Sequence, residues 1–309
     1  MIAHINKIIQ NLWPNEQVIQ IENLGGGFNN TVFLVNTTIR KIVIKCFGKS
    51  KTSCFSSCIE WEASIISLLS KYSYKVPKII YCDTHRSLVN FDYIIISYFE
   101  GENFEAIRNT LSQTEIETIE YEIGEFCQLV SNIKKEYYYA PWIPLTHANN
   151  FSFIADIFKY MIGMCSKYKI DIQRVHLEDI QCLIYRYKNE INSVDEVGYC
   201  NFDLWDGNVI VKDGRVTGFV DFEHVIIGDK LMTYYLCDFH SRKSIAFLKG
   251  MNIKSLSHSE KIRLTTYRCI ILIKMIIEQN LRGNTDMSSY IWIHNKLDIE
   301  FNNLIQLGE

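Results

Sequence analysis

Residues Tyr199 to His224 read YCNFDLWDGNVIVKDGRVTGFVDFEH and contain the most informative pattern in the chain. A β-branched run at 209–211 and a second apolar run at 216–220 flank the pair Asp213-Gly214. An Asp-Gly pair between two apolar runs is typical of a tight β-hairpin turn. The sequence therefore predicts two short antiparallel strands whose outer ends meet.

Polar side chains lie at both outer ends of this predicted hairpin. Asp203, Asp206 and Asn208 precede the first strand, and Asp221 follows the second. Carboxylate and carboxamide oxygens are the ligands that hard cations such as Mg²⁺ prefer. The stretch taken alone also fits a polar hairpin whose Asn and Asp residues only cap turns.

Composition narrows the class of protein. The chain of 309 residues has 48% hydrophobic and 22% charged residues, which is ordinary for a globular protein with a sizeable core. Its net charge of -3 provides no bulk field for nucleic acid or an anionic membrane, so neither is expected as a partner. The closest cysteines, Cys54 and Cys58, have no second pair at zinc-ligand spacing. The first residues lack the pattern of a signal peptide, so reduced thiols and a cytoplasmic location are expected.

The first third of the chain has the pattern of a small β-rich region. Hydrophobic periodicity predicts a helix at 2–12, five strands and a second helix at 57–71. The predicted strands lie at 17–24, 32–35, 40–47, 78–81 and 92–98. Between the first two strands, Gly25-Gly-Gly-Phe-Asn-Asn30 makes a glycine turn whose backbone can approach a phosphate. An ordinary turn explains the same pattern.

Lys45 stands out in the third predicted strand. Strand alternation places it on one face with Val43 and Phe47, so its charge points inward or along a cleft. The alternative is a lysine that extends to solvent. If Lys45 points inward, Glu60 or Glu62 of the following helix is positioned to pair with it.

The remainder of the chain is mainly helical. Ser112-x-x-Glu115 is a capping-box pattern at the start of a helix with one apolar face. Further helices are predicted at 153–168, 177–192, 230–238, 241–249, 258–281 and 287–304. The sequence thus predicts a β-rich half to about residue 97, a short connector, and a helical half that contains one hairpin.

The order of these features resembles the protein-kinase-like fold, and more narrowly the aminoglycoside phosphotransferase and choline kinase superfamily. That family has a His-Gly-Asp-x4-Asn loop, then an Ile-Asp-Trp/Phe segment and a Gly-Asp-Pro. The corresponding segments here are Asn201-Phe202-Asp203-x4-Asn208, Val220-Asp221-Phe222 and Gly228-Asp229-Lys230. Asparagine replaces the family histidine at 201; because its side chain also donates and accepts hydrogen bonds, activity is expected to survive.

The resemblance implies an α+β, bilobal protein-kinase-like fold with a small antiparallel β-rich N-lobe and a larger, mainly helical C-lobe. The implied domains are a nucleotide-binding N-lobe at 1–97, a hinge at 98–101 and a C-lobe at 102–309. The C-lobe would hold the catalytic loop, the metal-binding hairpin and the acceptor-substrate pocket.

The resemblance also implies roles for individual residues. Asp203 would be the catalytic aspartate, Asn208 and Asp221 the metal ligands, and Asn201 and Asp229 residues that brace the loop. Glu62 fits the family spacing better than Glu60 as the partner of Lys45. The implied nucleotide-binding residues are Lys45, Glu62, Gly26, Gly27, Phe28, Asn29, Ser97, Tyr98 and Phe99.

The function implied is that of a small-molecule kinase with ATP or GTP as co-substrate and Mg²⁺ as cofactor. It would transfer the γ-phosphate to a substrate hydroxyl, as a monomer or dimer. Candidate acceptors are an aminoglycoside-type antibiotic, in which case the protein would confer resistance, or choline, a sugar or an amino alcohol. A nucleotide-binding pseudokinase is the alternative. A protein kinase is disfavoured, because no Ala-Pro-Glu follows Asp221 before the next helices.

Two interpretations remain open at each of three further positions. Trp205 either contacts substrate or packs beneath the loop, and His224 is more consistent with a structural or surface role than with a catalytic base. Glu278, four residues after Lys274, either forms a pair within its helix or binds substrate.

Overall fold

The structure, a computed structural model, describes residues 1–25, 30–47, 55, 59–143, 145–172, 175–237, 245–283 and 286–308, without the side chains of Tyr235 and Cys237. Gly26, Gly27, Phe28 and Asn29, which the sequence predicts to lie over phosphate, are outside the described residues.

The described strands and helices follow the predicted alternation closely in the first third of the chain. The strands are β1 (Val18–Asn23), β2 (Asn30–Thr37), β3 (Lys41–Phe47), β4 (Ile79–Asp83), β5 (Asp92–Ser97), β6 (Glu102–Asn103), β7 (Val197–Asn201), β8 (Val209–Lys212), β9 (Arg215–Phe219) and β10 (Val225–Asp229). The helices are α1 (Ile2–Leu12), α2 (Ile59–Leu69), α3 (Phe104–Ile107), α4 (Gln113–Ser131), α5 (Asn150–Tyr168), α6 (Leu177–Arg186), α7 (Lys188–Asn192), α8 (Ile245–Gly250), α9 (His258–Leu281) and α10 (Met287–Gln306).

The chain forms two compact units. The first comprises Met1–Asn109 and Asp206–Glu223, and the second comprises Thr110–Trp205 and His224–Glu309. The hairpin β8–β9 therefore groups with the first unit. The division into lobes at 1–97, 98–101 and 102–309 stays a prediction.

The first unit is built on an antiparallel sheet with strand order β1-β2-β3-β5-β4. The amphipathic helix α1 buries Ile5, Ile8 and Ile9 in the same core as Ile44 and Ile95 of the sheet. A second sheet of order β6-β8-β9 contains the predicted hairpin, with the very short β6 added beside it. The first unit thus confirms the small antiparallel β-rich part of the expected fold.

The second unit is mainly helical. The capping box predicted at Ser112 and Glu115 is present at the start of α4, and α9 and α10 begin within a residue of their predicted starts. The predicted helix at 177–192 is divided into α6 and α7 at Tyr187, whose backbone is not helical.

One sequence-based prediction in this unit is wrong. The described residues of the predicted helix at 230–238 do not form one helix, because two short 3₁₀ turns, Lys230–Met232 and Tyr234–Cys237, follow β10. The antiparallel pairing of β7 with β10 was not predicted. Both strands are almost completely buried, and a strand buried on both faces lacks the alternation that reveals strands in sequences.

Among the described residues, the helices include none that is both long and apolar enough to cross a membrane.

Candidate active site

Lys45 is the centre of a buried charge cluster in the first unit. It lies on β3, between Val32 of β2 and Ile94 of β5. Its Nζ donates to both carboxylate oxygens of Glu62, at 3.0 and 2.9 Å, and to Oδ1 of Asp221 at 2.8 Å. Burial alone would lower the pKa of Lys45, but the neighbouring carboxylates raise it well above its ordinary value. The lysine therefore points inward and stays protonated.

Glu62 reaches this cluster because it lies on the buried face of α2. Its neighbours on that face are Ile59, Ile65 and Ile66, whereas Glu60 is exposed. The pairing of Lys45 with Glu62 that the family spacing favours is thus present. Burial raises the pKa of Glu62, and Asp221 adds repulsion in the same direction, although Lys45 opposes both.

Asp221 and Glu223 complete the cluster from the segment after β9. Ligand atoms of Glu62, Asp221 and Glu223 all lie within 4.8 Å of one another, and Glu223 is 3.7 Å from Lys45 Nζ. Asp221 adopts φ 62, a left-handed conformation that aspartate tolerates better than most residues. Three carboxylates thus surround one ammonium group, an excess of negative charge that suits a hard divalent cation.

Asn208, the second predicted metal ligand, ends a 3₁₀ turn formed by Asp206–Asn208 and is buried. Its carbonyl oxygen accepts a hydrogen bond from Val220 N at 3.0 Å, which ties it to the residue directly before Asp221. An amide and carboxylates offer an oxygen-rich donor set, so the residues present fit Mg²⁺.

Sequence reasoning did not include Glu223 among the metal ligands. Its Oε2 accepts a hydrogen bond from Asn30 Nδ2 at 2.8 Å, at the first residue of β2 directly after the glycine turn. The Asp-x-Glu spacing at 221–223 was visible in the sequence. Nothing local indicated the contact with Asn30, because the two residues are 193 positions apart.

The residues of the predicted hinge pack on the β8–β9 hairpin within the first unit. A Cβ at Gly218 would lie 2.1 Å from the ring of Phe99, so only glycine allows this contact. The carbonyl of Glu100 accepts a hydrogen bond from Thr217 Oγ1 at 2.9 Å. Ser97 exchanges backbone and side-chain hydrogen bonds with Lys78.

Tyr98, the other predicted hinge residue, lies beside β3. Lys41 Nζ is 3.9 Å from the centre of its ring, a cation–π contact. The positions of Ser97, Tyr98 and Phe99 are thereby fixed, and their contact with a purine stays a prediction.

In the second unit, Asp203 is the second residue after β7 and is half-buried. Asn201, at the position of the family histidine, accepts a hydrogen bond from Asp203 N on its Oδ1 at 3.1 Å. Phe202 N donates to the carbonyl of His224 at 3.2 Å. Asn201 thus contacts the backbone of the loop, and its bracing role stays a prediction.

The neighbours of Asp203 resolve two of the open interpretations. Trp205 has 44% of its surface exposed, so it does not pack beneath the loop. His224 is buried and lies against the ring of Trp142, with centroids 6.0 Å apart, which fits a structural role.

Helix α9 carries a row of charges close to this loop. Glu278 binds Lys274 at 3.0 Å and Arg282 at 3.3 Å, so the predicted pair within the helix is present. Burial alone would lower the pKa of Lys274, but Glu278 and then Asp203 raise it. The row therefore lies near enough to Asp203 for their charges to interact.

Asp229, the other predicted bracing residue, acts at the opposite end of the β7–β10 ladder. Asp229 pairs with Val197, whereas Val225 pairs with Asn201. The Asp229 carboxylate accepts hydrogen bonds from Arg263 Nε at 2.7 Å and from the Tyr267 hydroxyl at 3.0 Å. It anchors α9 directly and lies at the other end of the strand pairing from the loop after β7.

Comparison with solved structures shows the same fold in enzymes of known class. The putative fructosamine-3-kinase from Haemophilus somnus 129PT superposes with a TM-score of 0.71 at 15% identity, over 98% of this chain and 97% of that chain. A thermostable mutant of the aminoglycoside phosphotransferase APH(4)-Ia, in complex with AMP-PNP and hygromycin B, has a TM-score of 0.69 at 14% identity, over 96% and 98%.

A third structure, the streptomycin–ATP complex of APH(2″)-IIa, has a TM-score of 0.65 at 18% identity and covers 98% of each chain. These identities establish the kinase-like fold and nothing narrower. No curated protein matches the sequence significantly.

The sequence itself carries the family assignment. Residues 20–232, which span the Lys45 cluster, Asp203 and Asn208, match the phosphotransferase enzyme family APH. The chain therefore belongs to the phosphotransferase enzyme family and is a phosphotransferase with an alcohol group as acceptor.

Proposed function

We propose that the protein is a Mg²⁺-dependent small-molecule kinase that transfers the γ-phosphate of ATP or GTP to a substrate hydroxyl. The observation that supports this most strongly is the buried cluster of Lys45, Glu62, Asp221 and Glu223. Burial of an ammonium with several carboxylates is costly because each ion loses its hydration, and the surplus of carboxylates favours binding of a further cation.

Each group has a defined task in this proposal. Phosphoryl transfer has a loose transition state, so the protein mainly positions groups and neutralises charge. Lys45, oriented by Glu62, binds the α- and β-phosphates. Asn208 and Asp221 hold Mg²⁺, with Glu223 as a further oxygen ligand, and Mg²⁺ bound there would neutralise charge on the phosphate oxygens. Asp203 orients the acceptor hydroxyl and accepts its proton.

The presence of Asp203 favours catalysis over the pseudokinase alternative. It stands at the position of the family's catalytic aspartate, together with Lys45, Asn208 and Asp221, and a chain that only binds nucleotide does not need it.

The charges near Asp203 bear on the acceptor. In the second unit Glu278 is matched by Lys274 and Arg282, so this row offers no excess of acid to a polycation. We therefore place neutral or singly charged hydroxyl compounds, such as sugars, amino alcohols and choline, before aminoglycosides. The exposed ring of Trp205 is available to such a substrate.

The deciding experiment is nucleotide consumption by the purified protein with Mg²⁺. ATP and GTP are each combined with sugars, glycated amines, choline and aminoglycosides. We expect one acceptor class to raise turnover, and Asp203→Ala to remove transfer while nucleotide affinity changes less than twofold. If no acceptor raises turnover although nucleotide binds, the pseudokinase alternative replaces this proposal. If no nucleotide binds, both fail.

A further inference from the structure

A second buried ion pair in the first unit lies against the turn that carries Asn208. Arg108 NH1 donates to Asp206 Oδ2 at 2.8 Å, and the two side chains are only 12% and 7% exposed. Asp206 opens the 3₁₀ turn Asp206–Asn208, so the pair holds the first residue of the turn whose last residue is the candidate metal ligand.

The segment 102–108 contacts this turn at more than one residue. The side chain of Asn103 donates a hydrogen bond to the carbonyl of Gly207, the middle residue of the turn. The other end of that side chain is used as well, because its Oδ1 accepts a hydrogen bond from Glu105 N and caps α3. Asn103 also pairs with Ile210 through β6 and β8. Donor and acceptor sites of Asn103 are thus both engaged.

Arg108 is itself held in place. Its guanidinium lies 4.8 Å from the centre of the Phe104 ring, and Phe104 is completely buried. A planar guanidinium on an aromatic face keeps a defined direction, unlike a flexible lysine. The position of Asp206 is therefore set by residues that begin directly after the predicted hinge.

This turn also determines where Asn208 lies relative to Asp221. Asp206 and Asn208 are two residues apart in one tight turn, and the Asn208 carbonyl is bonded to Val220 N. A shift of the turn would therefore change the position of the Asn208 side chain relative to Asp221. Loss of such supporting contacts typically lowers metal affinity about 10–100-fold.

We propose that Arg108 and Asp206 are positioning residues for the metal site: their buried ion pair fixes Asn208 and thereby sets the Mg²⁺ affinity of the nucleotide complex. This inference rests on the proposed function, because it takes Asn208 as a metal ligand. Neither residue touches nucleotide or metal in this scheme.

The first unit offers a matched control. Arg86 and Asp92 form another Arg–Asp pair, with Nε and Oδ1 2.6 Å apart, but Arg86 is 38% exposed in the connection between β4 and β5. Arg86→Met removes the same type of pair without touching the turn. Arg108→Met keeps a long apolar side chain that can pack on Phe104, and it removes the positive charge and the N–H donors of the guanidinium.

The test measures binding of AMP-PNP and GMP-PNP by calorimetry at a series of Mg²⁺ concentrations and without Mg²⁺. Full-length wild type, Arg108→Met, Asp206→Asn, the double variant and Arg86→Met are compared, and far-UV circular dichroism verifies folding. We expect the Mg²⁺ concentration at half-maximal binding to rise about tenfold in each single variant. Mg²⁺-free affinity should change less than twofold, and Arg86→Met should match wild type. The double variant should resemble the singles, because residues that act as one unit are non-additive.

Two results would overturn the inference. One is an unchanged Mg²⁺ midpoint in Arg108→Met; the other is an equal loss of affinity with and without Mg²⁺, which would make the pair merely structural. If Arg108→Met does not fold, Arg108→Lys and the double variant provide the same comparison. A wild-type protein whose nucleotide binding ignores Mg²⁺ would refute the proposed function itself, whereas a Mg²⁺-responsive wild type whose Arg108→Met variant has the same Mg²⁺ midpoint refutes only this inference.

Discussion

Each unit contains a buried cluster of charges, and the two clusters differ in balance. In the first unit one ammonium, Lys45, faces three carboxylates. In the second unit Asp229 is matched by Arg263. A matched buried pair already satisfies its own charges, whereas an excess of carboxylate is stable only with a further cation or proton. The surplus of carboxylates in the first unit fits a cation as ligand, whereas the matched pair in the second unit anchors α9.

The largest effect is expected where the balanced pair is broken. Asp229→Asn leaves the buried Arg263 without its counter-charge and weakens the bond to Tyr267, so the free energy of unfolding should fall by about 3–5 kcal/mol. Urea denaturation measures this change. Glu196→Gln, which removes the exposed partner of Lys134 in the same unit, should leave the midpoint unchanged.

The folded fraction of Asp229→Asn should bind nucleotide with the same affinity as the wild type. A selective loss of Mg²⁺-dependent binding with normal stability would instead give Asp229 a functional task and remove the contrast between the clusters.

Asp221→Asn should show the opposite behaviour. It removes one of three crowded carboxylates, so the denaturation midpoint should stay constant or rise, because Lys45 keeps Glu62. Mg²⁺-dependent nucleotide affinity should fall about 100-fold, roughly 3 kcal/mol, since a metal ligand and its charge are lost. Calorimetry with and without Mg²⁺ measures it. A stability loss as large as that of Asp229→Asn would show that the first cluster is structural too.

The sequence predicted the parts of the site that depend on local spacing. The hairpin at 209–220 follows from two apolar runs around Asp213-Gly214, and β8 and β9 form it. The preference for Glu62 over Glu60 came from family spacing, and the helical period of α2 accounts for it, because only Glu62 shares a face with Ile65 and Ile66.

What the sequence could not predict depends on contacts between distant segments. Arg108 and Asp206 are 98 residues apart in the sequence, and no local sequence pattern indicates that they pair. The strands β7 and β10 are short and buried throughout, so they have no alternation to detect. Local patterns thus predicted the ligand-bearing loops and missed the framework that positions them.

The stability of Lys45→Met should depend on pH. The carboxylates lose their cation, and stability at pH 8 should fall by about 2 kcal/mol, as for a lost hydrogen bond between charged groups. Burial already raises the pKa of Glu62, and without Lys45 it rises further. A carboxyl group with a raised pKa in the folded protein binds its proton there first, so stability should be higher at low pH and decrease as pH rises above about 4.3.

Thermal melts of Lys45→Met between pH 5 and 8 measure this slope, and added Mg²⁺ should raise the melting temperature more at pH 8 than at pH 5. Lys41→Met, which removes an exposed lysine of the same strand, is the control. A flat pH profile for Lys45→Met would mean that the excess negative charge is neutralised in some other way.

Glu278→Gln should have the smallest effect, because Glu278 belongs to a balanced row. Burial alone would raise the pKa of Glu278, but Lys274, His224 and Arg282 together hold it below the ordinary value. A carboxylate with a lowered pKa stabilises the fold above its unfolded pKa and loses that contribution as pH falls. The variant should therefore be less stable by about 1 kcal/mol at pH 7, and the difference should shrink below about pH 4.3.

Urea denaturation at pH 7 and pH 3.5 measures this difference, with Glu117→Gln on the exposed face of α4 as control. The KM for the acceptor separates the two roles considered for Glu278. An unchanged KM leaves it as a partner of Lys274 and Arg282. A tenfold rise in KM without loss of stability would make Glu278 a substrate-binding acid, and the row of charges on α9 would then bind a ligand, as is proposed for the Lys45 cluster.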